Sequence, residues 1–532
     1  MLKTANRKLF STFSILLMAL LTVLLMVALV FPTFAAPNHQ DDPNLPTPTP
    51  QPVEDVAYTL SKVGGQAATF TLPAFEKDGI SIGETTVESH YPAGMIFTMT
   101  ASSANGDITN ATLYIELTSG SRNRVPADLD ADTNTWTAHL WDTGGQPAWA
   151  HFKAWWSVVD ATNVGVETEG TFLDYADPNR EWWRVETDDI IMYWYEGGLA
   201  GTPDEIAAQI AEAMAATEQR RVEGFGGRIS YKPIGVVYAN DQDLGEMYAS
   251  GTTNPNSAGF TSSDLGMTVQ DNGNPPPEWF ENLKDCIYLT PLEARTLEWR
   301  TQGTIYSTIP HEVAHLYQYD KGVLLGPTWW VEGQADWFSY APGQYDKRLR
   351  HLATLQDLSV SLDGDNVGWV TTEADGCYGL AYDVGVSFIN WLMATYGGLP
   401  THAAILQNLR SGQTLYQALE TVTGKTFLEL ENEWRAYIGF NVLSLADVDP
   451  ASALDDPIDA AFAVGDTVTL PAMPMQVPMA DAPGPSQIGN APCFGGTEVT
   501  ILRVGSLDGV NYYEVDCGGL TGWMTLGQLQ AQ

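Results

Sequence analysis

His311-Glu312-Val313-Ala314-His315, with Trp329-Trp330-Val331-Glu332-Gly333-Gln334-Ala335-Asp336 behind it, decides how this chain is read. On a helix, residues i and i+4 share a face, so the imidazoles of His311 and His315 can reach one ion. Glu312 lies beside that face, where it can take a proton from water. Zinc binds His nitrogen at about 2.0–2.1 Å, and its catalytic sites use three protein ligands and leave one position open. A third ligand is therefore needed. One arrangement would require Gly at 318 and His at 321, but the chain has Gln318 and Lys321. The other takes a carboxylate from a second helix, and Glu332, 17 residues after His315, supplies it. Asp336 follows Glu332 at i+4 on the same face, placed to hold one His ligand through its second ring nitrogen. Gly333 in a helix costs about 1 kcal/mol against Ala, reasonable where two helices approach closely. Residues 320–326 form a short connector that brings the second helix back antiparallel. Singly, each of these side chains is an ordinary helix-surface residue; the joint spacing selects the metal reading.

On these residues the chain resembles the gluzincin zinc metallopeptidases, in particular the MA-like group with a Trp-x-x-Glu-Gly-x-Ala signature after the zinc helix. The resemblance implies zinc ligands at His311, His315 and Glu332 and a general base at Glu312. Tyr382-Asp383-Val384-Gly385 through Trp391-Leu392 resembles the family's following helix, and Phe427-Leu428-Glu429 through Trp434 its closing helix. A Tyr at the start of the former donates a hydrogen bond to the oxyanion in related enzymes, which makes Tyr382 the candidate, with Tyr378 one turn away. The implied activity is hydrolysis of a peptide or protein substrate with one catalytic Zn2+. Calcium is not predicted. An extended peptide is expected to add to a strand ending near Thr290. His351 and His402 lack partner spacing and read as structural.

Outward from this centre, the 532 residues imply about three domains. With 25 Lys+Arg against 65 Asp+Glu the formal charge is −40, which repels phosphate backbones and argues against a nucleic-acid partner. No Gly-x-Ser-x-Gly elbow supports a serine hydrolase. Residues 1–36 carry Lys3, Arg7 and Lys8, then the apolar run Ile15 to Phe31, then Thr33 and Ala35: the order of a secretory signal. The run is also close to a spanning length, so residues 9–36 kept as a membrane anchor are the alternative. Either way the rest of the chain is expected outside the cytoplasm.

The Pro-rich residues 37–55 read as an extended spacer. Residues 56–180 alternate with period two and predict an all-β, Ig-like sandwich; the Trp155-Trp156 pair reads as core rather than as a sugar platform. Residues 181–440 predict an α+β peptidase domain, opening with the helix start Thr202-Pro203-Asp204-Glu205. A linker at 441–456 precedes residues 457–532. There, Gly496-Thr497-Glu498-Val499, the Asp508-Gly509 turn and Thr521-Gly522-Trp523 resemble bacterial SH3-type domains, which implies a small β-barrel with a cell-wall ligand. The four cysteines suit an oxidising compartment. Cys493–Cys517 is the expected pair, with Cys286 and Cys377 left for a second, although three connectivities can be drawn.

Overall fold

The computed structural model describes residues 56–142, 144–247, 258–273, 292–339, 379–443, and most of 454–530, with scattered positions between 352 and 367. The residues read as an export signal and spacer, the expected strand at 286–290, Cys286, Cys377, Tyr378 and His351 lie outside the described residues. The architecture is multidomain: a sheet-rich N-terminal part, a helical part, and a C-terminal sheet domain.

In the N-terminal part, Met95–Ser103, Ile108–Leu117, Thr135–Leu140 and His151–Asp160 are strands in which buried and more exposed residues alternate. They fall into two antiparallel sheets. The inward residues of both, among them Phe97, Leu113, Trp136, Phe152 and Trp156, meet in one core.

A third, six-stranded sheet links this part to the helices. Its order is Thr59–Gly64, Glu181–Glu186, Ile191–Tyr195, Ile234–Tyr238, Met267–Asp271, Gly259–Ser262. The strand at 59–64 pairs with the one at 181–186, so the chain returns to its own beginning where the sequence places a boundary. Strands 191–195 and 234–238 are parallel and need a crossover, which Pro203–Gly224 provides. That helix starts on the expected capping box: the Thr202 side chain accepts from the Glu205 N–H, and the Glu205 carboxylate accepts from the Thr202 N–H. Ile234-Gly235-Val236-Val237-Tyr238 is buried throughout because the sheet is covered on both faces. Met192, Trp194 and Val237 point into the helical core, while Tyr193, Tyr195, Val236 and Tyr238 point into the N-terminal core.

The helices around the histidines begin at Leu297. Leu297–Gly303 runs through a π-helical stretch, Thr304–Thr308, into Ile309–Asp320. Pro310 has no N–H to give to the preceding turn and its ring crowds that turn, so the helix widens just before the first histidine. Thr328–Phe338, Leu380–Tyr396, Leu399–Arg410, Leu415–Thr423 and Phe427–Ile438 follow among the described residues.

In the C-terminal domain, Thr467–Thr469, Glu498–Leu507, Val510–Cys517 and Leu520–Thr525 form a four-stranded antiparallel sheet. Cys493 and Cys517 are disulfide-bonded at its core. Among the described residues, no helix is long and apolar enough to cross a membrane.

Candidate metal centre

The helix Ile309–Asp320 carries both histidines on one face, and Thr328–Phe338 brings Glu332 against them. His311 Nε2 and His315 Nε2 are 3.1 Å apart. Glu332 Oε2 lies 3.2 Å from the first and 3.3 Å from the second. The three atoms form a nearly equilateral triangle. Ligand atoms about 2.0–2.1 Å from a tetrahedral ion stand roughly 3.3–3.4 Å apart, so the triangle already matches one face of such a site.

The other ring nitrogens fix which atoms face inward. His311 Nδ1 is 2.8 Å from Asp336 Oδ1, and His315 Nδ1 is 2.7 Å from Gln318 Oε1. Gln318 Nε2 donates to the Val331 carbonyl at 2.9 Å, which turns its oxygen toward His315. Both Nδ1 atoms therefore donate, and both Nε2 lone pairs converge on the carboxylate. Glu332 Oε2 is buried and has no hydrogen-bonding partner among the described residues. Three converging lone pairs repel one another unless a cation sits between them, and this donor set fits a divalent metal ion.

Charge tells the same story. Burial works against a proton on His311, but Asp336 and Glu332 outweigh it and push the imidazole up to about 10. His315 is raised as well, burial again being overcome by Glu332. Burial would raise the Glu332 carboxyl, yet the two imidazoles hold it well below the usual carboxylate range. The site attracts positive charge, as protons or as a dication.

Glu312 is buried beside the triangle, its position set by the sheet. Thr261, on the strand Gly259–Ser262, donates through Oγ1 to Glu312 Oε2 at 2.6 Å and lies 3.0 Å from the Glu312 carbonyl. Gly259 leaves room for the carboxylate: a Cβ there would stand 3.3 Å from Glu312 Oε1 and 3.0 Å from Thr308 Cγ2. The Tyr382 ring, half-buried at the start of Leu380–Tyr396, sits 6.0 Å from the His311 ring.

The close helix approach foreseen at Gly333 is made with a different helix from the histidine one. A Cβ on Gly333 would stand 2.4 Å from the backbone of Gly385, and one on Gly385 would stand 1.9 Å from the Trp329 carbonyl oxygen. Two glycines thus let Thr328–Phe338 and Leu380–Tyr396 cross in backbone contact next to Glu332. His402 is buried away from the triangle, with Nδ1 2.7 Å from the Gly224 carbonyl, and burial lowers its pKa to about 4.

Sequence reasoning missed Gln318 and Thr261. Gln318 served there only to exclude a ligand pattern, although its i+3 relation to His315 is a legible signal. Thr261 precedes Glu312 by 51 residues, and no local spacing announces it. No protein-family model matches the chain, and comparison with curated proteins finds no match.

Proposed function

We propose that this chain is a secreted zinc-dependent peptidase of the gluzincin type, preceded by an Ig-like sandwich and followed by an SH3-like module directed at the cell wall. The observation that carries the reading is the triangle of His311 Nε2, His315 Nε2 and Glu332 Oε2, with the Glu312 carboxylate beside it. A zinc ion held by those three atoms supplies Lewis acidity and lowers the pKa of water to about 7.

The chain's own residues do the rest. Asp336 and Gln318 hold the two imidazoles in the tautomer that presents Nε2. Glu312 takes a proton from the attacking water onto its carboxylate and passes it to the leaving amine nitrogen, a general base and then a general acid. Thr261 keeps that carboxylate aimed by donating to Oε2. Tyr382, whose ring lies 6.0 Å from that of His311, is the candidate donor to the developing oxyanion on the substrate carbonyl.

Metal analysis of the purified protein together with casein hydrolysis tests the reading. One zinc per chain is expected, with hydrolysis abolished by chelator and restored by zinc. Glu312→Gln should retain the metal and lose about 10²–10⁴-fold in turnover, the usual share of a positioned acid–base group. Zinc bound without turnover in the wild type would instead make this a binding protein on a peptidase scaffold.

A further inference from the structure

Away from the metal centre, the outer face of one N-terminal sheet is built unlike the rest of the surface. Cross-strand register sets Trp155 opposite Tyr114, and Tyr114 opposite Arg124. The neighbouring row runs Phe172, Lys153, Glu116, Arg122. Residues opposite one another in an antiparallel sheet share a face. The adjacent tryptophans therefore divide: Trp156 fills the core and Trp155 turns outward, half-buried. Trp155 stacks on Tyr114 at 5.6 Å between centroids, and the Arg122 guanidinium lies 5.6 Å from its ring. Phe172 is 65% exposed, held parallel to His151 at 5.1 Å with Lys153 Nζ 6.0 Å away.

This face runs into a cleft of about 450 Å³ whose far wall includes Arg184, Tyr193 and Lys232 from the six-stranded sheet and its approach. That volume lies within the roughly 300–1,000 Å³ of small-ligand sites. The rows and cleft carry five cations, Lys153, Arg122, Arg124, Arg184 and Lys232. Glu116, Asp174 and Glu186 are the acids among them, and Glu167, opposite Ser157, adds a fourth at the edge of the same face. Bases outnumber acids here, whereas the whole chain has 25 bases to 65 acids. Lys153 and Arg124 have no ion-pair partner among the described residues. The patch is thus of opposite sign to the molecule and complementary to an anion.

The acids beside the cations narrow the ligand further. Glu116, Asp174 and Glu186 repel any anion alike, phosphate or carboxylate, but they accept hydrogen bonds from hydroxyl groups, which a sugar offers on every ring. Exposed aromatic rings offer apolar surface to the C–H faces of sugar rings. We propose that this face and its cleft bind an acidic oligosaccharide, a run of carboxylate-bearing sugar rings, with Phe172 as the stacking platform and Lys153 and Arg124 as the carboxylate anchors. The site is separate from the metal centre and does not depend on peptidase activity.

Calorimetric titration of the full chain with a galacturonate hexamer tests it, with maltohexaose and a hexanucleotide of single-stranded DNA as comparisons. The galacturonate hexamer should bind, weaken with salt, and lose at least tenfold in affinity when Lys153→Ala and Phe172→Ala are combined, while the melting temperature stays unchanged. Arg124→Glu, at an exposed strand position, should weaken binding independently. Absence of galacturonate binding by the folded wild type overturns the proposal. So does affinity unmoved by these variants, or DNA binding as tight as galacturonate.

Discussion

Replacing Gly333 by Ala sets two effects of opposite sign against each other. In an open helix, Gly to Ala gains up to about 1 kcal/mol through lower backbone entropy in the unfolded chain. At Gly333 the new methyl would stand 2.4 Å from the Gly385 carbonyl carbon and 2.5 Å from its Cα. Ordinary carbon contacts begin near 3.5 Å, so the two helices must part by about 1 Å. Overpacking of this kind costs typically about 1–3 kcal/mol, and here the obstacle is backbone that cannot rotate away. The clash should win, giving a net loss of about 1–2 kcal/mol and a melting temperature lower by about 2–8 °C. Because Glu332 is the adjacent residue, the same displacement opens a triangle whose sides are 3.1–3.3 Å, and zinc affinity should fall at least tenfold. Gly303 provides the control, since it is helical with φ −60° and a Cβ there meets nothing within 4 Å. Gly303→Ala should leave zinc affinity alone and hold or raise stability. Thermal melting of the metal-free protein and zinc titration measure both quantities. If Gly333→Ala melts at or above the wild type and binds zinc equally, the helix crossing does not position Glu332.

Asp336→Asn and Gln318→Leu each loosen one imidazole and should cost about 10–100-fold in zinc affinity by competition with a chelator; unchanged affinity in both would remove their assigned role. In the metal-free protein, stability from His311 is complete below its ordinary value of 6.5 and is lost as pH rises through about 10. The gap in melting temperature between zinc-loaded and chelated protein should therefore widen from pH 6 to pH 10, and a narrowing gap would contradict the charge argument. Glu332 works in the other direction, since its lowered pKa gives stability that is present above its ordinary 4.5 and lost as pH falls through the lowered value. Replacing Cys493 and Cys517 together by Ser opens a loop with sequence separation 24, which should cost the C-terminal domain about 3 kcal/mol. Faster limited proteolysis there, with zinc affinity untouched, is the expected result.

Periodicity is local, and what it governs was legible without coordinates. The i, i+4 spacing of His311 and His315, the capping box at Thr202 and the period-two alternation within residues 56–180 all depend on residues within a turn or two of each other. Long-range choices have no such signature. Gly333 could be read as a close approach, but only packing made Gly385 its partner. Gln318 was visible on the histidine helix, yet its role needed the Val331 carbonyl to orient its amide. Thr261 reaches Glu312 because two strands and a helix meet in space, and Thr59–Gly64 joins a sheet whose next strand begins at Glu181. The sequence by itself determined the i, i+4 histidine pair, the capped helix start at Thr202 and which side chains could hold a cation. Tertiary structure alone decided their 3.1–3.3 Å convergence, because side-chain distance across separate elements is set by packing rather than by spacing along the chain.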